Sequence, residues 1–185
     1  MSAPAPNEYP EALFVRINDN IQATELTRGP WSHGVMHGGP ICGLLAWVIE
    51  NRLDRDDLVC SRLTVEILSG VPVEVLETSS DIIKNGKRTA VVQSSINQHG
   101  KVLARATSQW LSPPERLHPN SESVAEIPSE RANPGAHPDV DYPRPGFNAD
   151  AVDLRVIRGS TEEPGPGLIW IRLDHPLVAG ESASK

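Results

Sequence analysis

Residues 29–53 read GPWSHGVMHGGPICGLLAWVIENRL, and this stretch decides the fold class. Four glycines within residues 29–39 disfavour a stable helix or strand there. Pro40 suits the first turn of a helix, where its missing N–H is harmless. The segment that follows is apolar almost all round, which predicts one buried central helix over residues 40–53. Gly43 costs about 1 kcal/mol of helix propensity relative to Ala, which indicates close packing of the helix against a sheet.

Short strands are predicted on both sides of this helix, with two-residue turn signals at Asn85-Gly86 and His99-Gly100. The connections among the four middle strands are too short for a parallel crossover, so these strands are predicted to form an antiparallel meander. One long buried helix against a bent antiparallel sheet is an α+β layout. The predicted strands cover residues 13–17, 21–24, 62–67, 73–83, 89–97, 102–111, 152–157 and 168–173.

The chain length of 185 residues exceeds one average domain by roughly 35 residues. Residues 113–150 contain eight prolines and almost no apolar periodicity, which predicts a Pro-rich linker. Residues 1–10 are predicted to be a flexible arm, and residues 11–112 the main domain.

Composition excludes several functions. The net charge of −7 disfavours a nucleic-acid partner. No apolar run approaches 18 residues, so no membrane span is predicted. The N-terminus lacks the features of a signal peptide, and Cys42 and Cys60 are too few for a disulfide scaffold. We therefore expect two reduced, buried thiols and a cytoplasmic protein.

The string from Gly29 to Pro40 before a buried helix, with the Ile82–Arg88 hairpin and Gly100, resembles the thioesterase-like hotdog proteins. The resemblance is strongest to the N-terminal half of double-hotdog acyl-CoA thioesterases. It implies a hotdog fold, in which an antiparallel sheet wraps one central helix, and hydrolysis of an acyl-CoA thioester in fatty acid metabolism. It also implies no cofactor beyond the coenzyme A of the substrate. Residues 151–185 resemble the first strands of an incomplete second hotdog.

The catalytic carboxylate that this resemblance implies has no counterpart at the expected positions. In single-hotdog relatives the acid would fall at Ala46 or Trp47, and Glu50 comes about one turn later. In double-hotdog relatives the second half supplies the catalytic groups, beyond the segment that this chain matches. The catalytic residues are thus unknown. Two alternatives stay open: a non-catalytic acyl-thioester-binding or assembly module, and a hotdog hydratase or dehydratase.

The candidate substrate-binding residues lie in two places. Free N–H groups at the helix start can hold a thioester oxyanion, and basic groups beside the Asn85-Gly86 turn can meet coenzyme A phosphates. Trp31 is expected in the core or in a pocket wall. The predicted set is Trp31, His37, Gly38, Gly39, Pro40, Lys84 and Arg88.

Three other residue pairs carry weaker hypotheses. His33 and His37 have the spacing of metal ligands on a helix, but their glycine-rich setting favours a loop, and no metal site is predicted. Cys42 and His37 are a conceivable nucleophile–base pair, although a buried structural thiol is favoured. Asp174-His175 is interpreted as a strand end.

A single hotdog leaves one sheet edge unpaired, and unpaired edges invite pairing. We therefore expect a homodimer. Alternatively, the strands over 152–157 and 168–173 cap this edge within the same chain.

Overall fold

The computed structural model describes residues 11–32, 34–113, 142, 144–160 and 163–181. An antiparallel sheet of six strands packs around one helix, which confirms the α+β hotdog prediction. In chain order the elements are β1 (Phe14–Ile17), β2 (Asn20–Ala23), α1 (Gly38–Arg52), β3 (Val59–Ile67), β4 (Val75–Asn85), β5 (Thr89–Gln98), β6 (Lys101–Leu111), β7 (Val152–Arg158) and β8 (Leu168–Leu173).

Helix α1 lies in the core because one of its faces is wholly aliphatic. Ser94 on β5 ties this helix to the sheet, since its buried hydroxyl donates to the Leu45 carbonyl at 3.1 Å. A fully buried Leu or Ile contributes roughly 1.5–3 kcal/mol, so this face accounts for much of the stability of the domain. The residues of α1 that are buried are Pro40, Ile41, Leu44, Leu45, Val48 and Ile49.

The predicted meander is wrong for its first strand. The sheet order is β1-β2-β4-β5-β6-β3, so β3 pairs with β6 and not with β4. The connection over residues 68–74 crosses the molecule and is held by bonds from Met36 N to Val71 O and from Val73 N to Gly34 O. Val71 is fully buried, and burying it in the crossing favours this route over a hairpin.

The C-terminal part folds back onto the domain. Strands β7 and β8 pair with each other in a separate two-stranded sheet. Residues 176–181, here called the strap, follow β8 and lie along β1. Leu13 N donates to Pro176 O at 3.0 Å, and Ala179 N donates to Phe14 O at 2.9 Å. The strap, and not β7 or β8, therefore covers this sheet edge.

Three side-chain predictions need correction. Cys60 is exposed on β3 rather than buried, although both cysteines are free. Trp31 is neither core nor pocket wall, because it is 76% exposed. Gly43 packs closely not against the sheet but against the strap, where a Cβ on this residue would lie 2.9 Å from Leu177 Cδ1.

The last part of the predicted linker is packed. Gly146 is buried, and a short π-helical turn over Phe147–Ala151 brings Phe147 against the core. The predictions for residues 1–10 and for 114–141 lie outside the described residues. In the described part of the chain, no helix has the length and apolarity that crossing a membrane requires.

Candidate functional site

His37 caps the start of α1. Its Nδ1 accepts the Gly39 N–H at 3.0 Å, and its ring stacks on Phe147 with centroids 4.9 Å apart. An Nδ1 that accepts this bond carries no proton, so the cap requires the neutral imidazole. Burial lowers the pKa of His37 and favours the same form. His37 therefore positions the helix start in its neutral state.

One backbone N–H at this helix start has no partner among the described residues. The His37 N–H donates to Thr27 O, the Gly39 N–H donates to its own cap, and Pro40 has no N–H. Helical geometry gives the Gly38 N–H no acceptor within the helix. Gly38 is only partly buried, so its N–H is the donor that a ligand oxygen can use.

A cleft of about 710 Å³ begins beside this point and follows the outer face of α1. Its helix wall is formed by small residues, one Trp and one Glu, which are spaced so that they share one face of α1. Its opposite wall comes from the C-terminal part of the chain and is largely apolar. The lining residues include Gly39, Pro40, Gly43, Ala46, Trp47 and Glu50 on the helix side, and Phe147, Val152, Ile171, Leu173, Asp174, His175, Leu177 and Glu181 on the other.

A charged contact lies across the cleft towards its far end. Trp47 Nε1 donates to Glu181 Oε2 at 2.5 Å, and Arg16 Nη1 lies 3.3 Å from Glu181 Oε1. The Arg16 guanidinium also lies over the Trp47 ring, 5.4 Å from its centroid. These contacts hold the end of the strap against α1.

Three carboxylates line the cleft: Glu50, Asp174 and Glu181. Glu50 lies twelve residues after Gly38, about 18 Å along the helix, which is too far to act on a group bound at Gly38. Glu181 is held by Trp47 and Arg16 at the far end. Asp174 directly follows β8, and its N–H donates to Ala151 O, in the turn that begins with Phe147. Its carboxylate accepts a hydrogen bond from Arg172 Nε at 2.7 Å through Oδ1, which leaves Oδ2 to act as a base. Asp174 is thus tied to the same turn that stacks on His37.

The structure brings some of the predicted site residues together and separates others. His37, Gly38, Gly39 and Pro40 together form the helix start, and of these Gly39 and Pro40 line the cleft. Trp31 does not line this cleft.

Lys84 and Arg88 lie at the β4–β5 turn, which Arg55 binds through Asn85 Oδ1 and Gly86 O. Because Arg55 follows the C-terminal end of α1, this turn lies at the other end of the helix from Gly38.

Two other chemistries were considered for the helix start: a Cys42–His37 nucleophile–base pair and a metal site at His33 and His37. Burial raises the pKa of the Cys42 thiol, which favours the unreactive thiol over the thiolate. His33 lies outside the described residues, and no group of three potential metal ligands occurs among the residues that are described.

Sequence reasoning missed the wall opposite the helix. Phe147 falls within the Pro-rich stretch, while Leu177 and Glu181 fall within the assumed start of a second domain. The one available signal was Gly43, since a glycine inside a helix indicates that something packs closely there.

Comparison with known proteins bears on this arrangement. Residues 27–110 match the family model described as the acyl-CoA thioesterase N-terminal domain. The match is just under half of the chain and spans the helix start, α1 and strands β3 to β6. Residues 27–110 are thus similar to a thioesterase-like hotdog domain, in agreement with the resemblance carried by the residues from Gly29 to Pro40.

Solved structures of similar shape support the hotdog fold. A conserved protein of unknown function with a hotdog fold from Alicyclobacillus acidocaldarius is 17% identical, with a TM-score of 0.64 over 87% of this chain and 60% of that chain. A candidate thioesterase from Novosphingobium aromaticivorans is 18% identical, with a TM-score of 0.62 over 87% of this chain and 64% of that one.

A candidate thioesterase II from Thermobifida fusca is 16% identical, with a TM-score of 0.59 over 80% of this chain and 54% of that one. This chain therefore spans less than two thirds of the length of these three proteins. At these identities the likeness establishes the fold alone. A search of curated proteins found no match.

Proposed function

We propose that this protein binds an acyl-CoA thioester and hydrolyses it. One observation carries the proposal: the free Gly38 N–H adjoins Gly39 and Pro40, which line one end of a largely apolar cleft, on a domain that matches the acyl-CoA thioesterase N-terminal model. The thioester carbonyl oxygen accepts the Gly38 N–H, and the positive end of the helix dipole stabilises negative charge there. The acyl group lies in the cleft along α1.

Hydrolysis needs a base near that carbonyl, and Asp174 is the carboxylate that we assign to it. Water attacks the carbonyl carbon while the Asp174 carboxylate takes its proton. The oxyanion then collapses, the carbon–sulfur bond breaks, and the proton passes to the leaving thiolate. The products are a carboxylic acid and coenzyme A, and no cofactor takes part.

A binding module without hydrolysis is the second candidate, and the helix itself favours it. The position where related enzymes carry an acid on this helix is Ala46 or Trp47, and both line the cleft without offering a carboxylate. On this alternative the same cleft holds the acyl thioester, and no thiol is released.

The Gly38 donor is tested by Gly38→Pro. Proline is favoured at the first helical position, and His37, with φ −70° and ψ 152°, already has the conformation that precedes proline. The fold should persist while the N–H is lost, and we expect thiol release from acyl-CoA to fall by about 10²–10³-fold.

Gly38→Ala is the matched control because it keeps the N–H. Its Cβ would have one neighbour, Ile67 Cδ1, at 3.8 Å, so we expect near-normal activity. Equal thiol release from the two variants would overturn the role of Gly38.

Asp174→Asn separates hydrolysis from binding. We expect thiol release to fall by about 10²-fold or more, the range for a lost general base, while acyl-CoA binding measured by calorimetry is retained. Glu77→Gln, an exposed site on β4, is the control. Binding with no thiol release from any acyl-CoA by the unmodified protein would favour the binding module instead.

Several further expectations belong to this proposal. We infer a homodimer formed through β3, a cytoplasmic location and a role in fatty acid metabolism. Lys84 and Arg88 stay predicted contacts for the coenzyme A phosphates, and Trp31 a predicted contact for the substrate. None of these three residues lines the cleft, so such contacts would involve the part of coenzyme A outside it.

A further inference from the structure

The strap narrows the cleft at one side chain. Leu177 lies directly on α1 at Gly43, where a Cβ would come within 2.9 Å of Leu177 Cδ1 and 3.6 Å of Cδ2. On one side of this contact the cleft is lined by Gly39, Pro40 and Phe147. On the other side, Ala46 and Trp47 continue the cleft.

Leu177 is held in place from both directions along the chain. Its carbonyl accepts the Phe14 N–H at 2.9 Å, and the next residue, Val178, is 1% exposed. Glu181, four residues after Leu177, is bound by Trp47 and Arg16. The side chain therefore forms a constriction at a fixed place, because its backbone is part of an extended sheet edge.

We propose that Leu177 determines the length of the acyl group that the cleft accepts. This inference rests on the proposed acyl-CoA function. An acyl chain that starts at the helix N-terminus reaches Leu177 after one helical turn, since Gly39 and Gly43 are about 6 Å apart along the axis. Because bonds of about 1.5 Å zigzag, an extended acyl chain advances only about 1.25 Å per carbon, so that distance holds roughly five carbons. The substrate class is a short-chain acyl-CoA.

The space beyond Leu177 makes the proposal specific. Removing the isobutyl group would widen the passage between the near part of the cleft and the part lined by Ala46 and Trp47. Both parts are already present within the same cleft of about 710 Å³. One substitution should therefore lengthen the accepted acyl chain without a change elsewhere.

The experiment compares butyryl-CoA, octanoyl-CoA and lauroyl-CoA with the unmodified protein, Leu177→Ala and Leu177→Met. Binding is measured by calorimetry and hydrolysis by thiol release. We expect the unmodified protein to prefer butyryl-CoA, and Leu177→Ala to shift the octanoyl-to-butyryl affinity ratio at least tenfold towards octanoyl. Leu177→Met, which conserves side-chain volume, should keep the original preference.

The possible failures are distinguishable. An unmoved length preference in Leu177→Ala, with binding intact, overturns the inference and leaves the acyl-CoA function standing. If the unmodified protein binds no acyl-CoA of any length, the proposed function is overturned, and the inference with it.

A second measurement tests the Gly43–Leu177 contact without any ligand. Gly43→Ala adds a methyl group against Leu177 and should lower the Tm in the unmodified background. In the Leu177→Ala background the same substitution meets open space and improves helix propensity, so it should raise the Tm. The same Tm change in both backgrounds would contradict the contact between Gly43 and Leu177.

Discussion

At the residue scale, His37 links the protonation state of one side chain to the geometry of the helix start. Its Nδ1 accepts the Gly39 N–H, and its ring lies on Phe147. A Cβ on Gly39 would lie 2.8 Å from Phe147 Cε1. The cap, the glycine and the aromatic ring are therefore mutually dependent, because the ring can stack on His37 only where no side chain intervenes.

This arrangement predicts a pH dependence of stability. Burial holds the pKa of His37 below its unfolded value of about 6.5. In the window just below pH 6.5 the unfolded chain therefore binds more protons than the folded one. Stability from the neutral cap is complete above about pH 6.5 and is lost as the pH falls through the lower pKa of the folded state.

His37→Asn should remove this part of the pH dependence, since Asn is a good N-cap that does not titrate. The measurement is the urea midpoint between pH 7.5 and pH 5.5. His99→Asn is the control, because it removes an exposed histidine at a turn where φ is +50°, a conformation that Asn tolerates. An unchanged slope in His37→Asn would contradict a neutral His37 cap.

At the element scale, local signals predicted most of the secondary structure. The glycine-rich string and Pro40 marked the start of α1 within two residues, because capping and helix propensity act over a single turn. The Asn85-Gly86 turn joins β4 and β5 as expected. The place of β3 was not predictable in this way, since the choice between β4 and β6 depends on the buried Val71 in the crossing segment.

The same limit applies to the site. The helix side of the cleft comes from one local stretch, whereas the contact between Trp47 and Glu181 joins residues 134 positions apart. No periodicity or spacing encodes such a contact. The apolar residues of the strap fit a strand, which predicts the start of a second domain, and in the structure these residues pair along the edge of β1.

At the scale of the whole molecule, the two ends of the main sheet differ. The strap covers β1, whereas β3 has a single neighbour within the described residues. Strand β3 is nine residues long and exposes apolar side chains, Leu63 at 38% and Ile67 at 49%. A long, apolar and unpaired edge is a template for pairing with another chain. A second copy related by twofold symmetry presents the same edge, so pairing of the two β3 strands satisfies the free backbone groups of both.

The inferred homodimer is tested by a double substitution, Leu63→Lys with Ile67→Lys. Lysine on an edge strand opposes edge-to-edge pairing, so we expect this variant to sediment as a 20.1 kDa monomer and the unmodified protein at about twice that mass. Ile83→Lys on β4 is the control, because Ile83 is 58% exposed but lies away from the β3 edge.

The double variant also bears on the site, since Ile67 is the residue nearest to where a Gly38 Cβ would stand. If a second copy covers this edge, it also shields the Gly38 N–H from water, and thiol release should fall together with dimerisation. Dimers that survive the β3 substitutions, or that Ile83→Lys disrupts equally, would place the contact on a different surface. A monomeric unmodified protein with full activity would mean that one chain shields its own helix start.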